Sequence, residues 1–440
     1  MKKKKEKDFN KPLLAIFLSY FGAHKKLFLI DMSCAFVVAM IDIAFPLVSR
    51  FAMYELLPGK LYKVFFTLMI ITAITFCIRA VFQYIITFFG HLFGIRVEAD
   101  IRDDLYRQFQ RLDHDFYDKN RTGKLMSRLT GDLFEITELA HHGPEDFIIS
   151  ILTLLGSFFL LLKIRWELAI VVFIFLPIII AIIMISRRSL SESSRKVKDA
   201  TAEINAVLES SISGVRVTKV FTNEEYELNR FEEGNKLFKS AKKKFYKHMS
   251  SFHANIEFFS SLLSILVLAV GGFFIMQDKM SISDLVAANL FIAAFSSPIR
   301  RLSFLVEQYT TGMAGFKRFL EIMRVDTSIK DSENAQDIFC ARGNINFENV
   351  NFSYTDGIEV LKNINLKITP GQKFALVGLS GGGKTTICNL LPRFYEVTEG
   401  KIFLDGIDIK NITLKSLRKQ IGIVQQDVFL FAGSIKENIA

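Results

Sequence analysis

A glycine-rich loop that ends in a lysine and two threonines is the part of the sequence best suited to chemistry. Its residues are Gly378, Leu379, Ser380, Gly381, Gly382, Gly383, Lys384, Thr385 and Thr386. In a loop of this composition, backbone N–H groups converge on phosphate oxygens and the lysine neutralises phosphate charge. The spacing therefore predicts a site for ATP and Mg²⁺, with Lys384 on the β- and γ-phosphates and the Thr385 hydroxyl on the metal.

The segments around the loop have the order that a phosphate site requires. Residues 374–377 are apolar and predict a buried strand before the loop, and residues 384–393 predict a helix after it. The positive N-terminal end of that helix would face the phosphates. Alternating apolar residues at 345–352 and 361–368 predict two further strands, so this part of the chain is expected to be an α/β domain.

Upstream of this domain the chain is too apolar for an ordinary soluble protein. It has 440 residues, of which 50% are hydrophobic. Six apolar stretches are each near the roughly 20 residues that cross a bilayer. They lie at about 27–50, 62–91, 145–164, 167–187, 252–276 and 284–306. We therefore predict a helical membrane domain of six spans.

The positive charge indicates topology and not nucleic-acid binding. The net charge is +10, and the basic residues bracket the apolar stretches and crowd into two long connections, 92–144 and 188–250. Lysine and arginine are enriched on the cytoplasmic side of membrane proteins. The lysine-rich N-terminus, an amphipathic stretch at 8–24 and the α/β domain are therefore predicted to be cytoplasmic, in a protein of the cytoplasmic membrane.

The two long connections carry apolar residues at helical spacing, for example Val97, Ile101 and Leu105. Each connection is therefore predicted to form a pair of helices that continue the spans into the cytosol. Residues 120–123 and 213–214 interrupt the pattern and would form the two tips. We expect the membrane domain to occupy residues 1–325, a polar linker 326–342, and the first part of the ATP-binding domain 343–440.

Several stretches, taken together, resemble the half-transporters of the ABC exporter family, closest to the bacterial multidrug and lipid exporters. They are 115–129 (DFYDKNRTGKLMSRL), 213–221 (SGVRVTKVF), 297–302 (SPIRRL), 352–354 (FSY), the glycine loop, 392–395 (PRFY) and 423–431 (IVQQDVFLF). The resemblance covers nearly the whole chain and implies a partial RecA-like ATP-binding domain after the six spans.

Roles for further residues follow from this resemblance. Tyr354 matches the aromatic residue that stacks on adenine, with an exposed strand tyrosine as the alternative. Gln426 matches the glutamine that contacts the γ-phosphate and Mg²⁺, and Gln425 is its rival by register. The tips near 120–127 and 213–219 match the coupling helices, which seat in grooves on the ATP-binding domains.

The sequence also departs from the family. The signature Leu-Ser-Gly-Gly-Gln, the Mg²⁺-binding aspartate, the glutamate that polarises water and the switch histidine do not occur after Gln426. The resemblance implies that ATP is sandwiched between the glycine loop of one subunit and the signature of the other. We therefore expect these 440 residues to be a C-terminally truncated form that binds nucleotide weakly and lacks hydrolysis by itself.

Three charged residues, Asp31, Asp42 and Arg79, fall inside predicted spans, where charge is costly unless it faces a cavity or a partner. Asp42 and Arg79 would either line a substrate path or pair between spans.

The resulting expectation is ATP-driven export of a hydrophobic or amphipathic small molecule, by alternating access, with a second half-transporter subunit as partner. Homodimer and heterodimer both fit. A lipid or peptide exporter is the first alternative, since the side chains of the cavity set the substrate. A truncated nucleotide-binding membrane protein without hydrolysis is the second.

Overall fold

The computed structural model describes residues 7–354, 357, 359–424 and 429–439. They form two compact units. The membrane unit comprises residues 12–101 and 132–317, and the cytosolic unit comprises the described residues of 1–11, 102–131 and 318–440. The predicted domain boundaries at 325 and 342 stay predictions.

Long helices dominate the first three quarters of the chain. In order they are α1 Leu13–Ser19, α2 Lys25–Phe51, α3 Tyr62–Arg111, α4 His114–Lys119, α5 Thr122–Leu129, α6 Gly131–Ile164, α7 Trp166–Ser213, α8 Val215–Val220, α9 Glu224–Met276 and α10 Ile282–Met323. Among the described residues, six helical segments are long and apolar enough to cross a membrane, which confirms a multi-pass membrane protein.

The helices also extend beyond the apolar stretches, as the spacing of the connections predicted. α3 has 50 residues, α7 has 48 and α9 has 53. At 1.5 Å per residue, a helix of this size is roughly 75 Å long, well over twice the thickness of the hydrocarbon core. Short helices mark both predicted interruptions, α4 and α5 at the first and α8 at the second.

The larger hydrophobic cluster of the membrane unit lies mainly between α7, α9 and α10, and a smaller one lies between α2, α3 and α6. Leu168 and Val172 on α7, Leu263 and Val267 on α9, and Phe295 on α10 are buried together. Large apolar side chains also remain exposed on the same helices, including Phe173, Ile174, Phe258 and Ile265. Helices that are apolar on the core face and on the outer face suit a lipid surrounding.

Asp42 and Arg79 pair with each other between two spans, which is the second of the two predicted alternatives. The Arg79 guanidinium donates to both carboxylate oxygens of Asp42, from Nε at 2.6 Å and from Nη2 at 2.8 Å. The Arg79 side chain is 29% exposed and the Asp42 side chain is 30% exposed. A two-pronged bond of this kind neutralises both charges, so it joins α2 to α3.

We expect Arg79→Met to lower the free energy of unfolding by roughly 1–3 kcal/mol, because it leaves the Asp42 carboxylate without its partner. Unfolding by detergent titration would measure the change. Arg188→Met, at an 86% exposed side chain, is the matched control and should leave stability unchanged. Adding Asp42→Asn to Arg79→Met should recover part of the loss. Equal stability of Arg79→Met and the unsubstituted protein would contradict a stabilising pair.

The cytosolic unit contains a four-stranded antiparallel sheet in the order β2-β1-β3-β4. Its strands are β1 Ile345–Ser353, β2 Glu359–Ile368, β3 Glu399–Leu404 and β4 Ile407–Asp408. Phe347 on β1 lies opposite Leu366 on β2 and Ile402 on β3, and the buried face of the sheet centres on these positions. Both predicted strands upstream of the glycine loop are thus confirmed.

The predicted buried strand at 374–377 is wrong in this structure. The residues have no strand pairing, and Phe374 and Val377 are 44% and 90% exposed. A buried strand needs hydrogen-bonded neighbours at its edges. The strands that the structure describes pair with each other and leave none beside this segment.

The helix after the loop, α11 Lys384–Leu390, is shorter than predicted. Arg393 adopts a left-handed φ of 52°, and the Phe394 N–H donates to the Asn389 carbonyl at 3.1 Å. A left-handed residue with such a backward bond terminates a helix. The stretch 392–395 therefore leaves the helix axis and forms a turn. Two short helices follow, α12 Leu414–Lys419 and α13 Ile435–Ile439.

Candidate nucleotide-binding site

The glycine loop folds around its own lysine. Lys384 Nζ donates to the carbonyl oxygens of Gly378 at 3.0 Å and Leu379 at 2.7 Å. Gly381 and Gly383 have φ values of 81° and 78°, which favour glycine. Alternation of such residues with right-handed ones turns successive N–H groups towards one concave side, where an anion can be held.

Gly383 is required for a second reason. A Cβ atom at this position would lie 2.5 Å from Leu361 Cδ2, which is closer than real Cβ contacts allow. The last glycine of the loop therefore packs directly on strand β2. Because α11 begins at the next residue, this contact holds the start of the helix, with Lys384 and the two threonines, against β2.

The structure brings Tyr354 to the start of α11. Its hydroxyl lies 3.1 Å from Thr386 Oγ1, and Thr386 is only 5% exposed. The Tyr354 ring meets Phe352 and Tyr395 edge-on, at centroid distances of 4.8 and 5.4 Å. Tyr354 is half-buried by these contacts and borders the phosphate loop.

The other predicted site residues divide into two groups. Ser380, Gly382 and Thr385 are exposed, so their backbone and hydroxyl groups are open to a ligand. Thr385 is the one of the two threonines whose oxygen suits a hard cation, because the Thr386 hydroxyl already bonds to Tyr354. Gln426 and its rival Gln425 lie outside the described residues.

Next to this site, the first connection tip contacts the turn that follows α11. The His114 ring stacks on Phe394 with centroids 4.0 Å apart and planes 22° apart. The Tyr395 hydroxyl donates to Asp118 Oδ2 at 2.5 Å. The Arg418 guanidinium lies over the Phe394 ring, 5.4 Å from its centroid. Both His114 and Asp118 belong to α4, slightly before the tip that the sequence predicted at 120–127.

The surroundings change the acidity of two of these groups. Partial burial, helped by the Arg418 charge, lowers the pKa of His114. Burial, followed by the hydrogen bond to Asp118, raises the pKa of the Tyr395 hydroxyl. At neutral pH His114 is therefore a neutral ring that can stack on Phe394, and Tyr395 is a hydrogen-bond donor.

The sequence pointed to both sides of this contact without pairing them. Residues 115–129 and 392–395 each carry the family resemblance. However, Asp118 and Tyr395 are 277 positions apart in the chain. His114 and Arg418 were not among the predicted site residues. The sequence contains only an indirect signal for these two residues, namely the aromatic residues of the turn at 392–395 that both of them contact.

The second connection tip belongs to the membrane unit and consists of α8 and the residues beside it. Gly214 precedes α8, and its N–H donates to the Ser210 carbonyl at 2.9 Å, which ends α7. Val217, Val220 and Phe221 are 62%, 76% and 72% exposed. Two of these side chains lie on α8 and Phe221 directly follows it, and together they form an exposed apolar surface.

We expect His114 to titrate below its ordinary pKa of about 6.5. The neutral form favours the folded contact, so the contact is complete above pH 6.5 and weakens as the pH falls below that value. NMR of ¹³C-labelled histidine would measure the titration. Arg418→Gln should raise the pKa of His114 because it removes a neighbouring positive charge. A His114 pKa at or above 6.5 would contradict the described surroundings.

Two family models match successive parts of the chain. The model of the ABC transporter transmembrane region matches residues 28–299, and the ABC transporter model matches residues 361–439. An uncharacterized ABC transporter ATP-binding protein of Bacillus subtilis, YwjA, is 39% identical over 428 residues, which are 97% of this chain and 74% of that protein.

Two further relatives have names that mention a substrate. YgaD of Bacillus subtilis, an ATP-binding/permease protein whose name proposes multidrug export, is 28% identical over 96% of this chain and 74% of its own length. An ATP-dependent lipid A-core flippase of Syntrophus aciditrophicus is 33% identical over 79% of this chain and 58% of its own length.

Proposed function

Because the chain belongs to the ABC transporter family, with a transmembrane region and an ATP-binding domain in one polypeptide, we propose that it exports a hydrophobic or amphipathic small molecule across the cytoplasmic membrane. It does so as a dimer of half-transporters, by alternating access. The observation that carries this proposal is the contact between α4 and residues 394–395, since it joins a connection between two spans to the turn after the phosphate loop.

In this proposal the glycine loop holds the phosphates of ATP. The N–H groups of the loop and of the first turn of α11 would bind the phosphate oxygens, and Lys384 would leave its loop carbonyls for the β- and γ-phosphates. Tyr354, at the edge of the loop, would stack on adenine. Mg²⁺ would be held by Thr385 and Gln426 and would neutralise phosphate charge.

The proposed coupling runs through the turn at 392–395. Phosphate binding orders the loop and the start of α11, and α11 leads directly into this turn. Because Phe394 stacks on His114 and Tyr395 bonds to Asp118, a displacement of the turn would move α4. α4 is joined to α3 through the short break at residues 112–113, and α3 carries a span.

The exposed second tip supports the proposal of a partner subunit. Val217, Val220 and Phe221 form an apolar surface on a cytoplasmic connection. We propose that this surface seats in the ATP-binding domain of the second subunit, as the family resemblance implies for the second coupling helix. The mass of the complex would show whether that subunit is a second copy of this chain or a related chain.

Two relatives favour different substrates within one chemical class. The name of YgaD proposes multidrug export, and that of the Syntrophus protein states lipid A-core flipping. Both types of substrate are amphipathic. A lipid exporter is therefore our second candidate, and parallel transport assays with a cationic dye and with a fluorescent lipid in proteoliposomes would distinguish the two.

We expect Lys384→Ala to weaken ATP binding at least about tenfold, equivalent to about 1.4 kcal/mol. It should also abolish ATP-driven transport in the assembled exporter, which is the dimer of half-transporters proposed above. Membrane insertion should be unchanged, because among the described residues the Lys384 side chain bonds only to its own loop. Lys373→Ala, an exposed lysine before the loop, is the matched control. Unchanged transport by the Lys384→Ala exporter in vesicles would overturn the assignment.

We expect Tyr395→Phe and Asp118→Asn each to reduce the amount of substrate moved per ATP hydrolysed by the assembled exporter. Tyr395→Phe keeps the ring and removes only the donor to Asp118. Because both residues share one bond, the double variant should be little worse than either single variant. Transport and phosphate release should be measured on the same vesicles. Additive losses would show that the two residues act separately.

A further inference from the structure

Three histidines from two helices of the membrane unit meet in one place. His91 lies on α3, and His141 and His142 lie on α6. One ring nitrogen from each lies within 4.8 Å of the other two, and the ring centroids are 4.1 to 5.5 Å apart. We propose that these three side chains form a binding site for a divalent transition-metal ion of the zinc type. The site is distinct from the glycine loop and does not depend on the proposed transport.

The hydrogen bonds of two rings direct a lone pair to the cluster. His91 Nδ1 lies 2.7 Å from the Thr87 carbonyl, and His141 Nδ1 lies 2.8 Å from the Thr137 carbonyl. A carbonyl oxygen can only accept, so each Nδ1 carries the proton. In a neutral ring the Nε2 atom then holds the lone pair. A histidine bound to a metal is oriented by the same kind of bond.

The buried ring of the cluster has an atom without a partner. His141 is 2% exposed, and within the part of the chain that the structure describes its Nε2 has no hydrogen-bond partner. A buried acceptor left without a partner costs free energy. A metal ion bound to this nitrogen would supply the missing interaction.

Two glycines allow the helices to come close enough for the cluster to form. A Cβ at Gly94 would lie 3.0 Å from His141 Nδ1, and a Cβ at Gly90 would lie 3.3 Å from Asp31 Oδ2. Glycine at four-residue spacing is a common device for close helix contact in membranes. Here Gly94 allows α6 to approach α3, and Gly90 allows the Asp31 side chain of α2 to approach it.

Three carboxyl groups also lie near the rings. Asp31 is fully buried and interacts electrostatically with His91, and Glu145 Oε2 lies 3.8 Å from His142 Nδ1. Glu138 Oε2 lies 3.8 Å from His142 Nε2. Carboxylates beside imidazoles favour a bound cation. Imidazole ligands favour zinc, cobalt and nickel over magnesium and calcium.

The geometry needs only a small adjustment to hold the ion. Nitrogens bound to tetrahedral zinc are roughly 3.3 Å apart, because each Zn–N bond is about 2.0 Å. Separations of up to 4.8 Å therefore close when the rings shift by about an ångström. The exposed His91 ring has the freedom to make that shift. Three imidazoles with a water in the fourth position complete the site, and the ion would tie α3 to α6.

Cobalt binding to the full chain in detergent, after treatment with a chelator, tests this site. We expect one Co²⁺ per chain, a visible absorption band typical of tetrahedral coordination, and displacement of the band by Zn²⁺. Zn²⁺ should also raise the thermal unfolding midpoint, since it binds the folded chain. A chain that binds no Co²⁺, or binds it with only the weak absorption of an octahedral ion, overturns the proposal without any variant.

Substitutions then assign the ligands. His91→Gln, at an exposed position, should weaken Co²⁺ binding by more than the roughly 10–100-fold that loss of a second-shell partner costs, and should remove the Zn²⁺ shift of the unfolding midpoint. His253→Gln, an exposed histidine on α9, is the matched control and should bind as the unsubstituted chain does. Equal binding by His91→Gln and the control would place the metal elsewhere and overturn the proposal.

Discussion

The requirement that every backbone N–H and C=O be bonded inside a bilayer governs most of this structure. Only continuous helices meet that requirement for a single segment, so the apolar stretches are helical along their whole length. In this chain the helices do not stop where the apolar residues end. α3, α7 and α9 continue for several further turns, and a helix is stiff enough to transmit a displacement from one end to the other.

In the proposed coupling, the breaks between the long helices would transmit nucleotide binding to the membrane. At the first break, α4 meets the turn after α11 through one ring stack and one hydrogen bond. Both partners of that contact lie in the cytosolic unit. The glycine loop lies at the other end of α11, so a helix of 7 residues separates the phosphate site from the contact. In the proposed coupling, this short helix would pass a displacement from the phosphate site to α4.

How far the sequence predicts this structure depends on how local each feature is. The six spans follow from the length of the apolar stretches, the tips follow from interruptions in the helical spacing, and the glycine loop follows from the conformations that only glycine adopts readily. The prediction of a strand at 374–377 is wrong, because an apolar run indicates that burial is favoured but does not indicate which strands will lie beside it. The pairing of His114 with Phe394, and the meeting of His91 with His141, join distant residues, so only the fold reveals them.

Transport by the assembled exporter, reconstituted into proteoliposomes, tests the central claim most directly. A cationic hydrophobic dye would be supplied on the side that exposes the ATP-binding domain, with ATP or with a non-hydrolysable analogue. The account predicts sustained dye accumulation with ATP and no sustained accumulation with the analogue, because each cycle needs the nucleotide to be bound and released. Equal accumulation with both nucleotides, or none with ATP although ATP binds, would contradict it.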